Sequence, residues 1–259
     1  MTVLAGPWGR RSSGARPQGP ALLAVCAALA CAPAPDPSAE ADAPFRIDPV
    51  RPVAELRVEA LAAAPPVPEA GMLAPELVEL RSLDSTLRYD VRYATANNFM
   101  GVPFYDTALA LLQRPAAEAV VRAHRRLEGE GYGLLIHDAY RPWYVTRMFW
   151  DATPDSLKRF VADPSQGSRH NRGAAVDLTL FDRATGRAVT MPSGYDEFTE
   201  RAYPEYSGGT EEQRRLRDRL RWVMEAEGFT VYAYEWWHFD FRGWERYPVL
   251  NQRFTDVRH

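Results

Sequence analysis

Three residues stand where they could converge on one ion. His170 lies in the polar turn Ser168-Arg169-His170-Asn171-Arg172-Gly173, Asp177 follows seven residues later, and His238 lies near the C-terminal end. Imidazole nitrogen and carboxylate oxygen are donors that zinc accepts. Three protein ligands leave a fourth position for water, which is the layout of a catalytic rather than a structural site. Glu235 stands three residues before His238, a carboxylate suited to taking a proton from that water. Together these four residues predict a zinc-dependent hydrolase.

Each spacing makes a demand on the backbone. A turn of Gly, Ser, Asn and Arg frees His170 from core packing. Ala175 to Phe181 alternates as a strand does, with Asp177 on the face opposite Val176 and Leu178. A loop that runs into a strand lets two ligands seven apart meet. The run from Phe229 to Phe241 is aromatic and β-branched and reads as one long strand. In a regular strand Glu235 and His238, three apart, point to opposite faces. If both serve one site, the strand must twist, bulge or end there. Neither His-x6-Asp nor Glu-x-x-His is specific alone. An aspartate inside an apolar strand says more, because a buried unpaired carboxylate is costly. Trp236 and Trp237 read as packing residues, His124 (among Arg122, Arg125 and Arg126) as part of a solvated helix face, and His137 as a histidine without a part in the site.

The remaining elements must carry these residues. Leu77 to Leu80 and Leu87 to Arg92 read as short strands, Thr107 to Leu112 as helical, and Tyr132 to Ile136 as a buried strand. Pro115 can open a helix with Ala116, Ala119, Val120, Ala123 and Leu127 on one face, stopped by Gly129 or Gly131. Trp143 to Trp150 and Ser156 to Ala162 read as short helices. Thr210 and Gln213 have capping-box spacing before a helix with Leu216, Leu220, Val223 and Met224 on its apolar face. The mixture predicts an α+β fold with a small, mainly antiparallel sheet flanked by helices.

The chain has 259 residues, 46% hydrophobic and 25% charged, enough for one sizeable core. A net charge of -3 gives no footprint for nucleic acid. Residues 1–30 read as a secretory signal peptide: Arg10, Arg11 and Arg16 precede the apolar run Ala21 to Ala30, too short to span a bilayer. Ala28-Leu29-Ala30-Cys31 resembles a lipobox, which makes Cys31 a candidate lipidated residue and the membrane a partner through that lipid alone. Cleavage there leaves a single cysteine and no internal disulfide. Residues 31–72 are rich in Pro and Ala and read as a flexible linker, with a short helix possible over Ala54 to Ala64. The catalytic domain is expected over 73–259.

Ser168-x-His170-x-x-Gly173-x-Ala175-x-Asp177 together with Glu235-x-Trp237-His238 is similar to the signature of the bacterial D-alanyl-D-alanine dipeptidases. These belong to the zinc D,D-peptidase superfamily (peptidase family M15), with the D,D-carboxypeptidases and the Hedgehog signalling domain. Tyr93 to Phe99, Gly131 to Leu135 and Asp138-Ala139-Tyr140-Arg141-Pro142 extend the likeness over most of Leu73 to Tyr247. The resemblance implies one Zn²⁺ held by His170, Asp177 and His238, with Glu235 as general base. Arg141 would stabilise the oxyanion, where a fixed guanidinium is worth most in a water-poor site. Asp196 would receive the substrate ammonium, and Ser168 would contact the same end. The implied substrate is D-Ala-D-Ala or a related small D-amino-acid peptide. With an export signal, the expected setting is the cell envelope and wall-peptide turnover. Two other readings stay open: a zinc D,D-carboxypeptidase that trims stem peptides, and a non-catalytic zinc-stabilised envelope binding domain.

Overall fold

The structure, a computed structural model, describes residues 45–256. The expected leader, Cys31 and the first part of the linker lie outside the described residues. In chain order the described elements are α1 (Val53–Ala62), β1 (Leu77–Glu79), the single turn α2 (Leu80–Leu83), β2 (Arg88–Tyr89) and β3 (Leu111–Gln113). Then come α3 (Arg114–Glu128), β4 (Tyr132–Asp138), α4 (Trp143–Ala152), β5 (Ala175–Asp182), α5 (Glu211–Ala226), β6 (Phe229–Tyr232) and β7 (Glu235–Phe241). Five strands form one sheet in the order β2-β4-β5-β7-β6, and β1 pairs with β3 separately. Only the β2–β4 pairing is parallel. The fold is α+β with a mainly antiparallel sheet.

The helices form where sequence chemistry favours them. Pro115 sits in the first turn of α3, where a missing N–H costs nothing, and Ala116, Ala119, Val120, Ala123 and Leu127 are buried. At the start of α5 the Gln213 N–H donates to Thr210 Oγ1 at 3.1 Å while the Thr210 N–H donates to Gln213 Oε1 at 2.7 Å. A cap of this kind stabilises a helix by about 1 kcal/mol. The buried stripe Leu216, Leu220, Val223 and Met224 then docks α5 on the sheet side.

Four readings are corrected. Leu111–Gln113 is a strand, because Leu77–Glu79 offers it an antiparallel partner and tertiary pairing overrides the local helical reading. Phe229 to Phe241 is a hairpin, broken at Ala233 and Tyr234, with Tyr232 opposite Glu235. The His124 face of α3 is buried: its Nδ1 accepts from the Leu134 N–H at 2.9 Å. The described part of the expected linker, from Phe45, is not a free tether. Its composition cannot form a core alone, but Ile47, Leu56 and Ala60 are buried on one that already exists, and α1 packs against α4.

Candidate metal centre

The site lies across the middle of the sheet. Asp177 of β5 stands directly opposite His238 of β7 in an antiparallel pair. Facing residues in such a pair share a face and bring their Cβ atoms to about 5 Å. His170 arrives from the loop before β5, in a 3₁₀ turn over His170–Arg172 that ends at Gly173 with φ 63°. That left-handed conformation suits glycine, and a Cβ there would come within 2.5 Å of Leu77. The demand on Glu235 is met as well. It opens β7 just after the hairpin turn, and the β6–β7 register shifts between Val231 and Tyr232. This breaks the odd-even parity, and Glu235 and His238 come within 3.7 Å on one side.

The donor atoms fit a metal ion. His170 Nε2 lies 3.3 Å from Asp177 Oδ1, His238 Nδ1 lies 3.0 Å from the same oxygen, and the two nitrogens are 3.0 Å apart. Donors about 2.0–2.1 Å from a tetrahedral zinc would be spaced at about 3.3 Å. Asp177 Oδ1 is buried and has no hydrogen-bond partner, an expense an ion would remove. The outer ring nitrogens are tied down: His170 Nδ1–H donates to the Ala139 carbonyl at 2.6 Å and His238 Nε2–H to Asp240 Oδ1 at 2.8 Å. Each tie fixes a tautomer that leaves the other nitrogen's lone pair facing inward. Burial opposes charge on His238, but Asp240 and Asp177 outweigh it and hold the ring well above its ordinary pKa, so an ion bound at Nδ1 would displace a proton. Burial pushes Asp177 up, and the two histidines more than reverse this, so it lies well below the usual carboxylate range.

Around this cluster stand the other expected residues. Burial pushes Glu235 up to about 7. Arg141 is buried against the rings of Tyr93 and Phe149, with its Nε and Nη2 donating to Asp138 Oδ2 at 3.0 and 2.8 Å. Its backbone is latched to the metal-side loop, with Arg141 N–H donating to the His170 carbonyl and Asn171 Nδ2 to the Arg141 carbonyl. Asp196 is buried at φ 59°, and the Tyr93 hydroxyl donates to its carboxylate at 2.9–3.0 Å. Burial, reinforced by Asp177, pushes it well above the ordinary carboxylate pKa. Ser168 is buried and its Oγ accepts from the His170 N–H at 3.2 Å.

One cleft of about 640 Å³, including its open mouth, is lined by all seven of these residues together with Phe99, Phe160 and Phe198. The structure also assigns parts to residues that sequence reasoning passed over. Asp138 holds Arg141; Tyr195 donates its hydroxyl to Asp177 Oδ2 at 2.9 Å; Tyr93 holds Asp196; and Asp240 holds His238. Two of them had a sequence signal: Tyr93 opens the family-like segment Tyr93 to Phe99, and Asp138 lies three residues before Arg141 in another such segment.

Comparisons with known proteins agree in direction. The profile of the D-ala-D-ala dipeptidase family, Peptidase M15, matches residues 74–259. A D-alanyl-D-alanine dipeptidase of Escherichia coli K12 is 36% identical over 180 residues, 70% of this chain and 92% of that protein. One of Enterococcus faecium is 35% identical over 183 residues, covering 62% of this chain and 89% of its own. One of Streptomyces coelicolor is 34% identical over 175 residues, 61% of this chain and 87% of its own.

Proposed function

We propose that the chain, which belongs to the D-ala-D-ala dipeptidase family of M15 metallopeptidases, hydrolyses the free D-Ala-D-Ala dipeptide to two D-alanines with one zinc ion. The observation that carries the metal is Asp177 Oδ1, buried without a partner beside two histidine nitrogens whose rings are oriented toward it. His170 Nε2, His238 Nδ1 and Asp177 would hold zinc. When bound, zinc polarises the scissile carbonyl and lowers the pKa of a coordinated water.

The side chains around it divide the remaining work. Glu235 accepts the proton of the attacking water and returns it to the leaving amine. Arg141, fixed by Asp138, meets the negative charge that develops on the carbonyl oxygen, and its rigid placement avoids reorganisation at that moment. Asp196 receives the free ammonium group. Its burial makes an unpaired carboxylate unfavourable, so a cationic partner is what would ionise it. Ser168 adds a contact at that end. A site with a carboxylate for the amino terminus favours a dipeptide over the acylated end of a stem peptide.

The leader-like first thirty residues and Ala28-Leu29-Ala30-Cys31 support an exported enzyme, lipid-anchored through Cys31, that meets dipeptide released in wall turnover. Cell fractionation that finds uncleaved protein in the cytoplasm would reverse this assignment. The activity itself is tested by amine release from D-Ala-D-Ala, an N-blocked dipeptide and a stem pentapeptide, after chelation and after zinc is restored. Zinc-dependent cleavage of the free dipeptide alone is expected. Cleavage of the pentapeptide would make the enzyme a carboxypeptidase, and cleavage of none would leave the substrate assignment wrong.

A further inference from the structure

Residues 45–62 precede the stretch matched by the family profile, yet they pack against the wall of the cleft. The Phe45 ring lies 5.2 Å from Phe198 between centroids. Phe198 in turn lies 4.9 Å from Phe160, nearly parallel at 10°, and 5.1 Å from Phe99. Phe99, Phe160 and Phe198 line the cleft and Phe45 does not. Phe45 therefore backs a wall whose other side meets the ligand. The chain behind it is fastened repeatedly: the Arg46 guanidinium donates to the Asn98 carbonyl, Ile47 N–H to Phe99 O at 2.9 Å, Val50 N–H to Ala152 O at 2.9 Å, and Arg57 Nη2 to Pro103 O at 2.6 Å.

Phe198 closes the short loop that carries Asp196. A left-handed aspartate persists only where its surroundings over-determine it. Here the fixings are Trp236 Nε1–H to Ser193 Oγ at 2.8 Å, the Tyr195 hydroxyl to Asp177, the Tyr93 hydroxyl to Asp196, and the ring cluster at Phe198. Phe45 is the member of that cluster supplied from before residue 74.

We propose that residues 45–62 form a strap that sets the position of Asp196 by pressing Phe45 against Phe198, and so governs affinity for the ammonium end of the substrate. This rests on the reading that Asp196 receives that ammonium group. Among the described residues the strap makes no hydrogen bond or ion pair to His170, Asp177, His238, Glu235 or Arg141, so its influence falls on binding rather than on the chemical step. Phe45 is a positioning residue.

The test compares full-length, zinc-loaded wild type with Phe45→Ala and Phe45→Tyr. A misplaced binding group of this kind is expected to raise KM for D-Ala-D-Ala about tenfold in Phe45→Ala while kcat stays within about twofold. Phe45→Tyr, which keeps the ring, restores KM, and the inhibition constant of N-acetyl-D-Ala-D-Ala, which has no ammonium, is the same in all three. Hydrogen exchange of amides 193–198 quickens in Phe45→Ala while that of β5 does not change. Unchanged KM with unchanged exchange overturns the strap, as does a loss of kcat in step with Tm. If wild type fails to cleave the dipeptide, the functional reading falls, and the exchange measurement still decides whether Phe45 positions the loop.

Discussion

Asp138 stands directly opposite Asp177 on the neighbouring strand, where regular pairing would have put His137. Ile136 pairs with Leu178 and the register then slips by one residue, a bulge at His137. Because strand side chains alternate, that single slip turns Asp138 onto the face of Asp177. The row Asp138, Asp177, His238 then runs across β4, β5 and β7. Burial pushes Asp138 up, against the pull of Arg141, while Tyr105 donates to its other oxygen at 2.7 Å.

Asp138→Asn keeps the shape but gives up the acceptor charge that aims Arg141. The expected result is a fall in kcat of about 10²–10³, the scale of losing one oxyanion donor. Zinc content should stay near one per chain. Arg141→Ala should cost a similar factor, and the double variant little more than either single one, because the two act as a unit. Steady-state kinetics with metal analysis checks this; additive losses would separate the two residues.

Glu235→Gln should lower turnover by about 10²–10⁴ with zinc retained, whereas His238→Ala should lose both. The base works as a carboxylate, so kcat/KM falls as pH drops through its pKa. Burial places that pKa at about 7 rather than the usual 4.5, and a dication beside the carboxylate draws it back down. The acid limb is therefore expected between 4.5 and 7, and Glu235→Gln should flatten it. A limb of the same midpoint in the variant would assign it to another group.

His124 gives a prediction about stability. Leu134 N–H donates to its Nδ1, so Nε2 carries the proton and donates to Thr86 Oγ1 at 3.0 Å, and that hydroxyl donates to Asp84. Burial lowers the pKa of this neutral ring. The unfolded chain, with a histidine pKa of about 6.5, binds the proton more readily, so stability is lost as pH falls from there toward the folded value. In His124→Asn, which keeps an acceptor for Leu134, Tm should be lower at pH 7.5 but decline less steeply toward pH 5. Parallel Tm profiles would show that the ring does not titrate in that window.

The donors of the candidate metal cluster were legible because donor type and spacing are local properties. His170, Asp177, His238 and Glu235 announce themselves by chemistry, and Thr210 with Gln213 does the same for α5. The roles of the residues that aim them were not legible. Asp138 depends on a bulge, Tyr195 and Tyr93 on how distant loops close, and Asp240 on which face of β7 His238 takes. The hairpin at Ala233 and Tyr234 has none of the Gly, Asn, Asp or Pro that normally marks a turn. The strap was hidden for another reason: Pro and Ala composition reports what a segment can bury alone, not what it can bury on a neighbour.

The three residues of the candidate metal cluster are held by different kinds of structure. Asp177 and His238 are cross-strand partners, so parting them means opening the sheet. His170 rides on a three-residue turn. That turn is pinned by Asn171, whose Nδ2 donates to the Arg141 carbonyl and to Thr146 Oγ1 and whose Oδ1 accepts from the Ser168 N–H. Asn171 thus ties the loop of His170 to the start of the helix that follows Arg141, so a side chain outside the donor cluster sets where one of its three donors stands.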